Sequence, residues 1–141
     1  MKIEMLKQYE VDTITEIWYR GSVQSHSFID SNYWLAQKQE MRDKYIPMAQ
    51  SYVIYHENEV AGFVSMVDNY LAALFIDPVY QGNGYGRELL QFIKGKYSTI
   101  SLKVYKENKS AIRFYEKNGF LIKETLLDEN TGHGEYLMEW C

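Results

Sequence analysis

Apolar residues recur at Val11, Ile14, Ile17 and Trp18, a three-to-four spacing that predicts a helix over residues 11–24. Asp12 and Thr13 stand near its start as capping candidates. A second helix is expected from a cap at Asp30 or Ser31 through about residue 43, carrying Tyr33, Trp34 and Leu35. A short strand fits residues 1–6, and the stretch SVQSHSFID between the helices has no clear period. After Pro47 the period shortens. SYVIYHE and VAGFVSMVD are β-rich runs around the turn ENE, which reads as a hairpin, and YLAALFID follows as a third strand. That third run is apolar almost throughout, so it is expected near the centre of a sheet with both faces buried, ended by Asp77-Pro78.

A further helical face is formed by Tyr85, Leu89, Leu90, Ile93 and Tyr97. STISLKVY reads as a strand, and ENKSAIRFYEKNGF as a short helix with Asn108 as cap and Gly119 as stop. Two last strands, about 120–127 and 134–140, flank the turn DENTGHG. The order β-α-α-β-β-β-α-β-α-β-β is that of an α/β protein with a mixed central sheet flanked by helices. With no repeat, low-complexity tract or linker, residues 1–141 are expected to form one domain.

Composition narrows the function classes. A formal charge of −4 disfavours nucleic-acid binding, which needs a basic face, and mildly suits a cationic partner. Cys141, the single cysteine, can make neither an internal disulfide nor a multi-cysteine metal site, so a cytoplasmic protein is expected. No signal-peptide core and no apolar run of membrane-spanning length is present, so no membrane role is expected. Histidines and carboxylates show no metal-ligand spacing, and no metal is expected. His56 in its hairpin and His133 in its glycine-rich turn are expected at the solvent. The aromatics, with 13 tyrosines and 3 tryptophans, belong mostly to core and surface, but the N-terminal cluster is a candidate pocket lining.

The chemistry concentrates in LFIDPVYQGNGYGRELL, where alternating glycines separate a strand from a helix. Glycine permits positive φ and close backbone approach, and amides at a helix N-terminus attract anions. The pattern lacks the Gly-Lys-Ser/Thr ending of a P-loop and the GxGxxG of a dinucleotide turn. A plain connecting loop and a phosphate cradle both remain open on these residues alone. Arg87 is either a phosphate contact or a solvated side chain.

The run Gln81-Gly82-Asn83-Gly84-Tyr85-Gly86 resembles the Q/R-x-x-G-x-G/A signature of the GCN5-related N-acetyltransferases. The element order is similar along the whole chain, and Asn108 and Tyr115 stand in a matching NxxAxxxYxxxGF pattern. EIW, SHSFI with NYW, YLAALFI and VYKEN resemble small bacterial members. The resemblance implies a sheet with splayed central strands that binds acetyl-coenzyme A (acetyl-CoA) as co-substrate. Backbone amides of Gln81, Gly82, Asn83, Gly84, Tyr85, Gly86 and Arg87 would hold its pyrophosphate. Leu74, Phe75 and Ile76 would bind the pantetheine arm strand-fashion, with an N–H near Phe75 or Ile76 on the acetyl carbonyl. Asn108 would touch the pantetheine region and Lys109 a phosphate.

The acceptor implied is a primary amine, on a small molecule or a protein lysine. A lysine with pKa about 10.4 is neutral in only about one molecule in 2,500 at pH 7, so a proton must be removed. Tyr115 is the expected acid for the departing thiolate. Some relatives carry a glutamate base on the strand before the asparagine helix, where this chain has Lys103. His26 is therefore the leading base and substrate-contact candidate, and Tyr70 a candidate wall of the acceptor channel. A non-catalytic acyl-CoA sensor or partner-binding module on the same fold is the competing expectation. Either a monomer or a homodimer is compatible with the sequence.

Overall fold

The computed structural model describes residues 2–141. One seven-stranded sheet carries the chain, in the order β1-β2-β3-β4-β5-β7-β6. Its strands are β1 (Ile3–Met5), β2 (Gln50–His56), β3 (Glu59–Val67), β4 (Tyr70–Ile76), β5 (Ile100–Tyr105), β6 (Leu121–Asp128) and β7 (His133–Trp140). The helices are α1 (Val11–Ser25), α2 (Ser31–Glu40), α3 (Ile46–Met48), α4 (Tyr85–Lys94) and α5 (Lys109–Lys117). All neighbouring strands run antiparallel except β4 and β5. The expected order is thus found, with small shifts at element ends.

Alternation along the strands sorts the core into two layers. Ile54 and Val64 face Leu89, Leu90 and Ile93 of α4, while Val53 and Phe63 face Ile14 and Ile17 of α1. A third cluster of Ile29, Trp34 and Tyr105 ties α2 to β5. Two helix boundaries differ from expectation. The first helix is entered through a 3-10 turn at Gln8–Glu10, where the Glu10 carboxylate accepts the Lys7 N–H at 2.9 Å, so neither Asp12 nor Thr13 caps it. The second helix does not stop near 43 but continues through a π turn, Met41–Tyr45, into α3, with Met41 and Ile46 buried against α1.

The larger correction concerns β4. It occupies the centre of the sheet, as its apolar sequence implies, yet it is not buried on both faces: Ala72 is exposed and Leu74, Phe75 and Ile76 are half-buried. Two features cause this. Parallel pairing to β5 is confined to Tyr70 opposite Ser101, so the strands part beyond it. Against β3 the register also slips, from Ser65–Ala73 to Met66–Leu71, leaving Ala72 as an unpaired bulge. Leu71 then joins one core layer and Ala73 the other, although they are two residues apart. The apolar edge exposed by the splay faces a cleft.

Candidate active site

The gap between β4 and β5 opens into a cavity of about 890 Å³, within the range of small-molecule sites. At one end lies the glycine turn. Asp77 caps a 3-10 turn at Pro78–Tyr80 and Gly84 is the N-cap of α4, in the left-handed region at φ 79° with no side-chain cap. Gly82 is left-handed too, at φ 87°, and a Cβ at either glycine would meet no protein atom within 4 Å. The first amides of α4 therefore stay unclaimed by any capping side chain, beside open space.

Side chains of this turn serve mainly to shape it. Gln81 Nε2 donates to the Ile76 carbonyl at 3.2 Å and Asn83 Nδ2 to the Tyr80 carbonyl at 2.8 Å. Tyr85 is buried, its hydroxyl 2.6 Å from His56 Nδ1, and the His56 ring stacks on Tyr80 at 4.8 Å. His56 is thus half-buried behind the turn rather than at the solvent. His133 is likewise half-buried, with Nδ1 3.1 Å from Glu107 Oε1. Arg87 and Lys109 are exposed and line the same cavity, giving its mouth a positive rim.

Asn108 caps α5, its Oδ1 accepting Ala111 N–H at 3.3 Å. That orientation turns Nδ2 toward His26 Nε2, 3.4 Å away, an arrangement that assigns the proton of the neutral ring to Nδ1. His26 Nδ1 is buried without a hydrogen-bond partner, and the ring is packed by Trp34 and Tyr105. Burial pushes the His26 pKa down to about 4. The imidazole is neutral at physiological pH but a weak proton acceptor, its accepting nitrogen already facing Asn108. This setting opposes the base role expected of it.

Tyr115, buried on α5 between Phe114 and Phe120, lines the cavity from the α5 side. Burial foremost, then the neighbouring Tyr70, pushes its pKa up and keeps the hydroxyl protonated. Tyr70 lines the cavity too, with its pKa raised by burial and then by Glu135.

A family model described as an acetyltransferase (GNAT) domain matches residues 47–122. Peptidyl-lysine N-acetyltransferase YiaC of Escherichia coli is 32% identical over 98% of this chain and 95% of its own length. The chain belongs to the GNAT acetyltransferase family. It is an N-acetyltransferase that uses acetyl-CoA as donor. Spermidine N(1)-acetyltransferase of Escherichia coli is 26% identical over 96% of the chain and 81% of its own length. Among solved structures, apo-form YjaB from Escherichia coli matches with TM-score 0.86 and 24% identity, over 98% of this chain and 95% of that one. PaiA N-acetyltransferase from Thermoplasma acidophilum, in complex with coenzyme A, matches with TM-score 0.81 and 20% identity over 99% of both chains.

The cavity fits the GNAT donor on its own geometry: an uncapped helix start, two left-handed glycines beside open space, a positive rim and an unpaired apolar strand edge. All sequence-expected donor and acceptor residues except Asn83 line this one cavity; Asn83 instead braces the turn. Several lining residues were not foreseen. Gly21 lets α1 approach β4, since a Cβ there would sit 2.5 Å from Phe75 Cδ1. Trp34 and Tyr105 form the wall around His26, and only the local aromatic density hinted at them. Glu135 on β7 enters the cavity because β7 pairs with β5 opposite Tyr105, a register no local pattern displays. Among the described residues no group of three or more histidines, cysteines and carboxylates is placed to hold a metal ion, and no helix is long and apolar enough to cross a membrane.

Proposed function

We propose that the acceptor is the ε-amine of an exposed lysine on a protein. The observation that carries this reading is the aromatic lining of the cavity, to which Trp34, Tyr70 and Tyr105 contribute alongside Tyr115. An unbranched alkyl ammonium fits such walls through its methylenes and through attraction of the cation to ring faces. The whole-length similarity to a peptidyl-lysine acetyltransferase supports the same acceptor.

In this reading acetyl-CoA supplies a thioester-activated acetyl group. The α4 amides, with Arg87 and Lys109, hold its phosphates, and the free edge of β4 from Leu74 to Ile76 lies along the pantetheine arm. The bulge at Ala72 extends the earlier expectation of an N–H near Phe75 or Ile76, since it frees backbone further back along β4 for the acetyl carbonyl. Tyr115 protonates the leaving sulfur. His26 acts as a positioning residue, holding Asn108 across the cleft from α1 to α5.

Thiol release from acetyl-CoA, measured with a lysine peptide blocked at its N-terminus, a peptide with a free N-terminus only, and spermidine, tests the acceptor. The blocked lysine peptide is expected to give the highest kcat/KM. A preference for spermidine or for the free N-terminus refutes it.

A further inference from the structure

The transfer requires a group that removes a proton from an ammonium, and few residues of the cleft are suited to it. Tyr70, Tyr105 and Tyr115 all have pKa values raised by burial and stay protonated. His26 Nε2 is engaged by Asn108. Lys103, Arg87 and Lys109 are cationic. Two carboxylates line the cavity, Glu107 and Glu135. Glu107 is exposed and faces His133 at 3.1 Å. Glu135 is half-buried on β7, directly across the ladder from Tyr105. Tyr105 is itself anchored by donating to Asp128 at 2.5 Å, and its ring packs on His26, so Glu135 lies beside the aromatic residues that line the cavity.

We propose that Glu135 is the general base of this chain, accepting the proton of the acceptor's primary ammonium. The proposal rests on the acetyltransferase reading and adds a residue to it. Once the Glu135 carboxylate has taken one proton, the neutral nitrogen forms the C–N bond while the thioester C–S bond breaks. The departing sulfur takes its proton from Tyr115, and the second proton of the nitrogen replaces the one Tyr115 gave. The Glu135 proton leaves to solvent, so amide, free thiol and one proton balance the equation. The groups facing Glu135 are Asp128 on β6, Lys103 and Tyr105 on β5, Tyr70 on β4 and Tyr33 on α2. Burial first and Asp128 second raise its pKa, opposed by Lys103, making it a stronger base than an exposed glutamate. A raised carboxylate pKa means that the active, ionised form is lost as pH falls through that raised value.

Glu135→Gln keeps the shape and removes the base. Thiol release is measured with a lysine peptide and with 2,2,2-trifluoroethylamine, an amine already neutral at pH 7, beside CoA affinity by calorimetry. Expected are a kcat lower by about 100-fold or more with the peptide, a much smaller loss with the neutral amine, and an unchanged CoA Kd. Undiminished turnover with the peptide, or equal losses with both amines, overturns the base assignment. Wild-type protein that binds CoA yet releases thiol with no amine overturns the acetyltransferase reading itself. If the variant loses CoA binding, Glu135→Asp is measured in the same way: a loss larger with the peptide than with the neutral amine upholds the proposal, and equal losses or none overturn it.

Discussion

Replacing Gly84 by alanine separates the phosphate-seat role of the glycine turn from its backbone role. Gly84 is left-handed at φ 79°, and an L-residue there costs roughly 1–2 kcal/mol. A Cβ meets no protein atom within 4 Å, so no clash adds to this. At about 2 cal/mol/K of unfolding entropy per residue, the chain should lose roughly 3–7 °C in Tm. Gly132, between β6 and β7, provides a matched control, with φ 75° and equally open space but no place in the cavity lining. Gly132→Ala should cost similar stability and leave donor binding alone. Gly84→Ala should weaken CoA at least about tenfold, or 1.4 kcal/mol, and Gly84→Asp further, by bulk and by negative charge beside the phosphates. Calorimetric CoA titration and thermal unfolding of the three variants read both quantities. Equal CoA affinity in wild type and Gly84→Asp, or equal loss in Gly132→Ala, refutes the assignment.

Tyr115→Phe retains the ring packed between Phe114 and Phe120 while deleting the acid, so kcat should fall by about 100-fold with CoA affinity kept; steady-state kinetics beside calorimetry checks it, and unchanged turnover removes the role. Wild-type activity should show no loss from Tyr115 ionisation through the neutral and mildly basic range, because its pKa is raised. His26 gives a stability signature instead: its pKa is depressed to about 4, so the unfolded chain binds the extra proton first as pH falls below about 6.5. Its contribution, about 3 kcal/mol, is present above pH 6.5 and lost progressively toward pH 4. Urea unfolding at pH 7 and 4.5 should show a smaller drop for His26→Gln than for wild type, and equal drops contradict a buried neutral imidazole.

What the sequence displays and what it hides divide along physical lines. Local chemistry is visible: the glycines that need positive φ, the Asn108 cap, the Gly119 stop at φ 91°, and the helical faces of α1 and α4 all announce themselves within a few residues. Relations between strands are not. The apolar run of β4 reads as a buried strand because periodicity cannot tell a face covered by protein from one left for a ligand. Only its single pairing with β5 and the bulge at Ala72 reveal that its apolar surface belongs to a cleft.

The same distinction explains the two candidate bases. His26 attracts notice because imidazole titrates near neutrality, but that property belongs to the free side chain. Here Trp34 and Tyr105 desolvate it and Asn108 faces its ring nitrogen, the setting behind the positioning role proposed for it between α1 and α5. Glu135 carries no local distinction among the chain's acidic residues. Its place depends on β7 lying beside β5 in a register that sets it opposite Tyr105, and on β4 and β5 parting to leave a cavity there. In the proposed mechanism the splay that exposes the β4 edge also opens the space beside Glu135, so one departure from regular pairing makes room for both substrates.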